Sequence, residues 1–295
     1  MDKEIEIAGK KIFYRVYGNG KPVMLVHGFG ETGDVWMQQV DFLKNKFFLI
    51  VPDLPGSGQS EMIDEMSMEG IAEVIKAIID AEIQKVNIDT SKSSQVPPFG
   101  GDLEGAGSSK IPPSGGGGAA LIGHSMGGYI TLAFAEKYPH YLRAFGLFHS
   151  TAFADTEEKK ATRRKGIEFI KEHGAFEFLK NATPNLFSPQ FKDEFPGLVD
   201  EFVRGLNNFL PEALVSYYES MIKRPDRTAI LKNTKMPVLF IMGEFDNAIP
   251  LQDGLKHCHL PERAYIDILH RSGHMGMMEE IGKTNQLLEE FLSEP

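Results

Sequence analysis

Ser125 stands in Gly123-His124-Ser125-Met126-Gly127-Gly128, between the apolar run Ala119-Ala120-Leu121-Ile122 and a stretch of helical periodicity over 126–137. A serine in that setting can serve as a nucleophile. Small residues two before and two after it permit a tight strand-to-helix turn, which lifts the hydroxyl above the strand end and aims the helix N-terminus at a reacting group. A serine also needs a base to take its proton and a third group to orient that base. Of the nine histidines, His274 in Arg271-Ser272-Gly273-His274-Met275-Gly276 follows the last apolar run and precedes the closing helix, so its loop can reach over a sheet edge. His140, His257, His259 and His270 read as surface or packing residues. The acid is expected at another strand end, and Gly243-Glu244-Phe245-Asp246 offers Asp246 there, with Glu244 nearer the strand and read as a solvated charge. His149-Ser150-Thr151 ends a strand without a carboxylate. The candidate set is therefore Ser125, Asp246 and His274, in the chain order of a nucleophile-elbow site.

Charge that develops on a carbonyl oxygen needs donors. His27-Gly28-Phe29-Gly30 follows the apolar run Pro22–Val26, and its glycines let the Phe29 N–H face the site beside the Met126 N–H. His27 is read as holding that loop by hydrogen bonding. Trp36, Phe153, Ile249 and Met275 are candidates for a substrate pocket, with Met126 and Phe29 near them and Phe176, Phe178 and Phe187 facing from a later helical stretch. His257-Cys258-His259 has metal-ligand residue types, but an i, i+2 pair on a helix points to different faces and a fourth ligand is not nearby, so no metal site is assigned. Neither Gly115–Gly118 nor Gly282-Lys283-Thr284 has P-loop spacing, and no cofactor is expected.

The elements that must position these residues are legible from periodicity. Glu4–Ile7 and Ile12–Tyr17 alternate around Gly9-Lys10 as an antiparallel hairpin. Residues 22–26, 47–51, 119–122, 142–148, 237–242 and 264–269 read as strands, several of them continuously apolar as in a parallel sheet covered on both faces. Ser67 caps a helix with Ile71, Val74, Ile75, Ile78 and Ile79 on one face. A helix over 276–291 closes the chain. Alternating strands and helices imply an α/β fold. Residues 151–230 break the alternation with helical signals alone, at Thr156, Gly174, Ser188-Pro189 and Pro211. They are read as an all-helical insertion, a cap, between core segments 1–150 and 231–295. Asp89–Gly118 holds 8 Gly, 6 Ser and 4 Pro in 30 residues, too few apolar groups to offset ordering entropy, and is read as a flexible loop within the core.

The chain has 295 residues, 42% of them hydrophobic, enough for a large core. Its net charge of −10 supplies no general field for nucleic acid or anionic lipid. The single cysteine, Cys258, suits a reducing compartment. No basic start, signal-like stretch or run of about 18 apolar residues is present, so a cytoplasmic protein without a membrane segment is expected. Nothing in the sequence chooses between monomer and homo-oligomer. The cationic residues Lys159, Lys160, Arg163, Arg164 and Lys165 read as a solvated helix face.

Together with Asp53-Leu54-Pro55-Gly56-Ser57-Gly58-Gln59-Ser60, the segments at 27–30, 123–128, 243–246 and 272–274 make the chain resemble the α/β-hydrolase superfamily. Within it, the chain is most similar to bacterial esterases, lactonases and carbon–carbon bond hydrolases that carry a helical cap. The resemblance implies a mostly parallel eight-stranded sheet flanked by helices, an all-helical cap, and a Ser125/His274/Asp246 triad. It implies a serine hydrolase acting on small to medium carboxylic esters through an acyl-enzyme, with a small-molecule ester as its partner. A serine at the elbow argues against the dehalogenase and epoxide-hydrolase chemistries, which use an aspartate there. Carbon–carbon bond or lactone cleavage by the same triad is the alternative enzyme reading. A triad-bearing ligand receptor, like the plant butenolide receptors, is the alternative from another class.

Overall fold

The computed structural model describes residues 1–91 and 118–294. The chain begins with β1 (Asp2–Ile7), β2 (Lys10–Tyr17) and β3 (Lys21–Val26), continues through α1 (Met37–Leu43), β4 (Phe47–Pro52) and α2 (Met68–Ser91), and resumes with β5 (Ala119–His124), α3 (Met126–Lys137) and β6 (Leu142–Phe148). Helices α4 (Glu157–His173), α5 (Ala175–Ala182), α6 (Pro189–Glu194), α7 (Pro196–Gly205), α8 (Pro211–Lys223) and α9 (Thr228–Asn233) follow without an intervening strand. The chain ends with β7 (Val238–Gly243), α10 (Leu251–Leu255), β8 (Ala264–Leu269), α11 (Gly276–Glu279) and α12 (Ile281–Ser293).

Among the described residues the strands form one eight-stranded sheet in the order β1-β2-β4-β3-β5-β6-β7-β8. β2 runs antiparallel to β1 and β4, and the remaining pairs are parallel. The central strands are apolar apart from Lys21, His124 and Arg143 because both faces are covered. Met24, Val26, Leu121 and Phe240 point to a cluster with Ile71, Ile75, Ile78 and Phe134 of α2 and α3. Val23, Leu25, Ile122 and Ile241 point the other way, to Val40, Leu43, Leu288 and Phe291 of α1 and α12. Each such aliphatic side chain contributes on the order of 2 kcal/mol by leaving water.

The helix signals act as capping chemistry dictates. The Ser67 Oγ accepts from the Gly70 N–H at 3.0 Å, Thr156 Oγ1 from the Lys159 N–H at 3.2 Å, and Ser188 Oγ from the Phe191 N–H at 3.2 Å. Three expectations change. The closing helix is two helices, broken at Glu280, whose φ of −127° and ψ of 57° are not helical. His257 and His259 lie beyond α10 and outside any helix. The loop expected over Asp89–Gly118 begins inside α2, which extends to Ser91, and its remainder up to 117 falls outside the described residues. No helix among the described residues is long and apolar enough to cross a membrane.

Candidate active site

Ser125 sits between β5 and α3 with φ 51° and ψ −116°, a backbone state that costs a non-glycine residue roughly 1–3 kcal/mol. The surroundings hold it there. The Ser125 N–H donates to Phe148 O at 2.9 Å and the Gly128 N–H donates to Ser125 O at 2.9 Å, while Ser150 Oγ donates to Ser125 O at 2.7 Å. The turn also needs its glycines. A Cβ on Gly123 would lie 2.2 Å from Gly127 O, and one on Gly127 would lie 2.5 Å from Val26 O.

His274 and Asp246 meet from loops after β8 and β7. His274 Nδ1 is 2.7 Å from Asp246 Oδ2. Because an ionised carboxylate only accepts, Nδ1 carries the proton and Nε2 is the basic nitrogen. Both residues are buried, and His274 lines a cavity of about 880 Å3 together with Ser125. Asp246 Oδ1 accepts from the Ala248 N–H at 2.9 Å and the Ile249 N–H at 2.8 Å. Burial alone would raise the Asp246 pKa, but the neighbouring His274 charge and hydrogen bonds from His149 and His274 hold it well below the usual carboxylate range. Burial pulls His274 down, yet the charge and hydrogen bond of Asp246, aided by Glu31 and Glu279, leave it above its ordinary value.

The loop carrying His274 has its own organiser, which the sequence reading missed. Glu279 Oε1 accepts from the Gly273 N–H at 2.9 Å and the Met275 N–H at 3.1 Å, and its Oε2 from the Ser188 N–H at 2.7 Å. The His274 N–H donates to Leu186 O at 2.6 Å. The helical region between β6 and β7 is therefore bonded directly to this loop.

On the opposite side, His27 acts as a loop anchor. Its Nε2 accepts from the Leu54 N–H at 2.9 Å, so the proton is on Nδ1, which donates to Gly28 O at 2.8 Å. Burial lowers its pKa, consistent with a neutral ring. Glu31 Oε2 accepts from the Gly28 N–H at 2.7 Å and lies 2.9 Å from His124 Nδ1. His124 Nε2 reaches His274 O at 2.9 Å. The loop after β3, the Ser125 turn and the His274 loop are thus joined through Glu31 and His124. Met126 opens α3, where the first N–H groups have no partner within the helix, and Phe29 stacks on Tyr218 of α8 with centroids 4.3 Å apart.

Of the expected pocket residues, Phe153 and Ile249 line the cavity with Phe29 and Tyr218. Trp36 and Met275 do not. Both are fully buried in the cluster beneath the sheet, where Trp36 packs edge-on against Phe148 and His124. Phe178 meets Phe29 edge-on at 6.2 Å, whereas Phe187 is fully buried against Phe191. Arg163 departs from the solvated face expected for its stretch. Its Nε donates to Asp155 Oδ2 at 2.6 Å, and Arg224 Nη2 lies 2.9 Å from Asp155 Oδ1, so two guanidinium groups share one buried carboxylate in the cavity wall. Glu244 is half exposed and pairs with His270, as a solvated charge would. His149, unassigned by sequence, is 3.1 Å from Asp246 Oδ2 through its Nδ1. The donor atoms of His149, Asp246 and His274 lie within 4.8 Å of one another, but both imidazoles aim Nδ1 at one carboxylate oxygen, as hydrogen-bond donors around an acceptor.

A mostly parallel sheet with a strained serine turn after β5, and a bonded His–Asp pair from loops after β8 and β7, is the framework of an α/β hydrolase. Residues 23–284 match the Alpha/beta hydrolase family, and the chain belongs to it as a hydrolase. It is similar to Lipase 1 of Psychrobacter immobilis, 25% identical over 295 residues that cover 97% of this chain and 82% of that protein. A 2-hydroxy-6-oxononadienedioate/2-hydroxy-6-oxononatrienedioate hydrolase of Paraburkholderia phymatum is 24% identical over 307 residues, covering 96% of this chain and 91% of that protein. Among solved structures, a thermophilic esterase from Thermogutta terrifontis superposes with a TM-score of 0.81 at 25% identity, covering 99% of this chain and 98% of that one.

Proposed function

We propose that this protein hydrolyses small to medium carboxylic esters through an acyl-enzyme formed on Ser125. The observation that carries the reading is the 2.7 Å bond from His274 Nδ1 to Asp246, which leaves Nε2 as the base in a residue lining the same cavity as Ser125. Ser125 Oγ attacks the ester carbonyl while His274 Nε2 takes its proton, and Asp246 stabilises the imidazolium that forms. The Phe29 and Met126 N–H groups receive the oxyanion. The proton on His274 then passes to the leaving alkoxide, and water attacks the acyl-enzyme by the same relay in reverse. Residues 151–230 act as the cap, with Phe153 and, from the core side, Ile249 bordering the acyl group. The esterase and lipase relatives support an ester substrate.

Replacing Ser125 with alanine tests the assignment. Hydrolysis of p-nitrophenyl acetate and butyrate should fall by at least about a thousandfold in a folded variant. A folded variant that keeps the wild-type rate refutes it. Cleavage of a carbon–carbon bond or a lactone by the same residues is the second reading, favoured by the polar Asp155, Arg163 and Arg224 in the cavity wall. A panel of esters, lactones and β-diketones compared by kcat/KM separates the two.

A further inference from the structure

Three buried imidazoles cluster at the cavity: His274 in its lining, with His124 and His149 behind it. Ring centroids of His124 and His274 are 4.8 Å apart, and those of His149 and His274 are 5.7 Å apart. Of these rings the proposed reaction uses His274 alone, and the hydrogen bonds of His124 run to Glu31 and to the His274 carbonyl. His149 is different, since its polar contact is with the acid itself.

His149 directly follows β6 and adopts a φ of 47°, in the left-handed region that a non-glycine residue seldom enters. Its main-chain N–H donates to Ile241 O at 2.8 Å, which fixes this backbone to β7. Its side chain is completely enclosed. Nδ1 donates to Asp246 Oδ2, the oxygen that also receives His274, while Nε2 has no hydrogen-bond partner among the described residues. The far side of the ring is closed by main chain: a Cβ on Gly276 would lie 2.4 Å from Nε2 and one on Gly243 would lie 2.8 Å from Cε1. A second proton on Nε2 would be buried with no acceptor, so the ring is held as the neutral Nδ1–H form. Burial lowers its pKa to about 4, so this form persists at neutral pH.

We propose that His149 is a positioning residue for the Ser125 reaction: its neutral Nδ1–H pins Asp246 Oδ2 and, by sharing that oxygen, weakens the pull of Asp246 on the His274 proton. The inference rests on the Ser125–His274–Asp246 reading. Its physical basis is the crowding of negative charge around His274. Asp246, Glu31 and Glu279 all favour the charged imidazolium, with His124 and His149 the other titratable groups packed against the ring. A general base works only while unprotonated, so an overly strong carboxylate partner would disable it near neutral pH. A neutral donor on the same oxygen withdraws electron density from it without adding charge.

The test compares His149→Leu with His149→Asn, side chains of similar shape of which only asparagine keeps an N–H near the place of Nδ1. Asparagine also tolerates the positive φ. The reading is the acid limb of kcat/KM against pH for p-nitrophenyl butyrate, taken well below the melting temperature of each variant. The leucine variant should show its acid limb moved to higher pH by roughly half to one unit, with the loss concentrated below pH 7 and about 3–10-fold at pH 6. The asparagine variant should return the limb toward the wild-type position. Where the leucine variant does not fold, His149→Ala takes its place. A limb that stays put or moves down in a folded donorless variant overturns the inference, as does an equal, pH-independent loss in both variants. Ser125→Ala tests the underlying reaction separately: activity that depends on Ser125 but has an unmoved limb rejects the role of His149 and leaves the triad standing.

Discussion

Glu31 and His124 are joined by a 2.9 Å contact between Oε2 and Nδ1, with both side chains sealed from solvent. The same Glu31 oxygen accepts from the Gly28 N–H, and the other nitrogen of His124 reaches His274 O. One carboxylate therefore sets the loop that presents Phe29 relative to both Ser125 and His274. Burial works against the charge on Glu31, but His124 and the Gly28 N–H hold its pKa below the ordinary value.

Glu31→Gln should consequently cost turnover more than substrate binding. Displacing the Gly28–Phe29 loop by a fraction of an ångström should lower kcat on p-nitrophenyl butyrate by about 10²-fold, with KM changed far less. Steady-state kinetics on the folded variant decide it, and an unchanged kcat would remove Glu31 from this role.

Asp246→Asn should leave the fold in place and lower kcat by roughly 10⁴-fold, because an amide can present its N–H to His274 and turn the imidazole to the wrong tautomer. A loss of less than tenfold would mean that His274 is oriented by something other than Asp246.

The Asp155 side chain is fully buried between Arg163 and Arg224, whose side chains are 17% and 3% exposed. Asp155→Asn leaves two guanidinium groups without their counter-charge. We expect a loss of about 3–5 kcal/mol in a urea unfolding experiment, the cost of breaking a buried pair from one side. A loss below about 1 kcal/mol would show that water or a rearranged carboxylate takes over.

Acid should destabilise the protein well before its ordinary carboxylates protonate. Burial lowers the pKa of both His149 and His257 to about 4. A folded-state pKa below the unfolded value means that the stability these neutral rings confer is complete above about pH 6.5 and lost as pH falls toward 4, on the order of 3 kcal/mol each. His274, whose pKa is raised, acts oppositely, its contribution complete below about 6.5 and lost as pH rises through its folded-state value. Melting temperature measured from pH 7 to pH 4 should therefore fall. His257→Gln can keep the contact to Thr151 Oγ1 without titrating, and should flatten that slope; an unaltered slope would discount His257.

Local signals in the chain carried much of the architecture. The elements around Ser125 are readable because a buried parallel strand, a tight turn and a helix stopped by proline each leave a short-range mark: a continuous apolar run, glycines at 123 and 127, and Tyr138-Pro139 at the helix end. Ser188 and Thr156 announced α6 and α4 for the same reason, since a cap acts within three residues of itself. The pocket was less legible. Trp36 and Phe153 are both large and aromatic, and nothing local tells that one faces the core beneath the sheet while the other borders the cavity.

Residue type and order along the chain nominate Ser125, Asp246 and His274 as the candidate set, because each follows a recognisable strand and parallel strands deliver their following loops to one edge of the sheet. Tertiary structure alone decided what surrounds them. Glu31 is 93 residues from His124 and His149 is 97 from Asp246; neither pair has a local signature, and each forms only when β3, β5, β6 and β7 lie side by side. Glu279 likewise looks like an ordinary surface glutamate until the chain reversal after β8 brings the Gly273 and Met275 N–H groups, and the helical region between β6 and β7 the Ser188 N–H, onto its carboxylate. Buried polar partners are matched by the enclosing fold, whose exclusion of water makes an unmatched group costly.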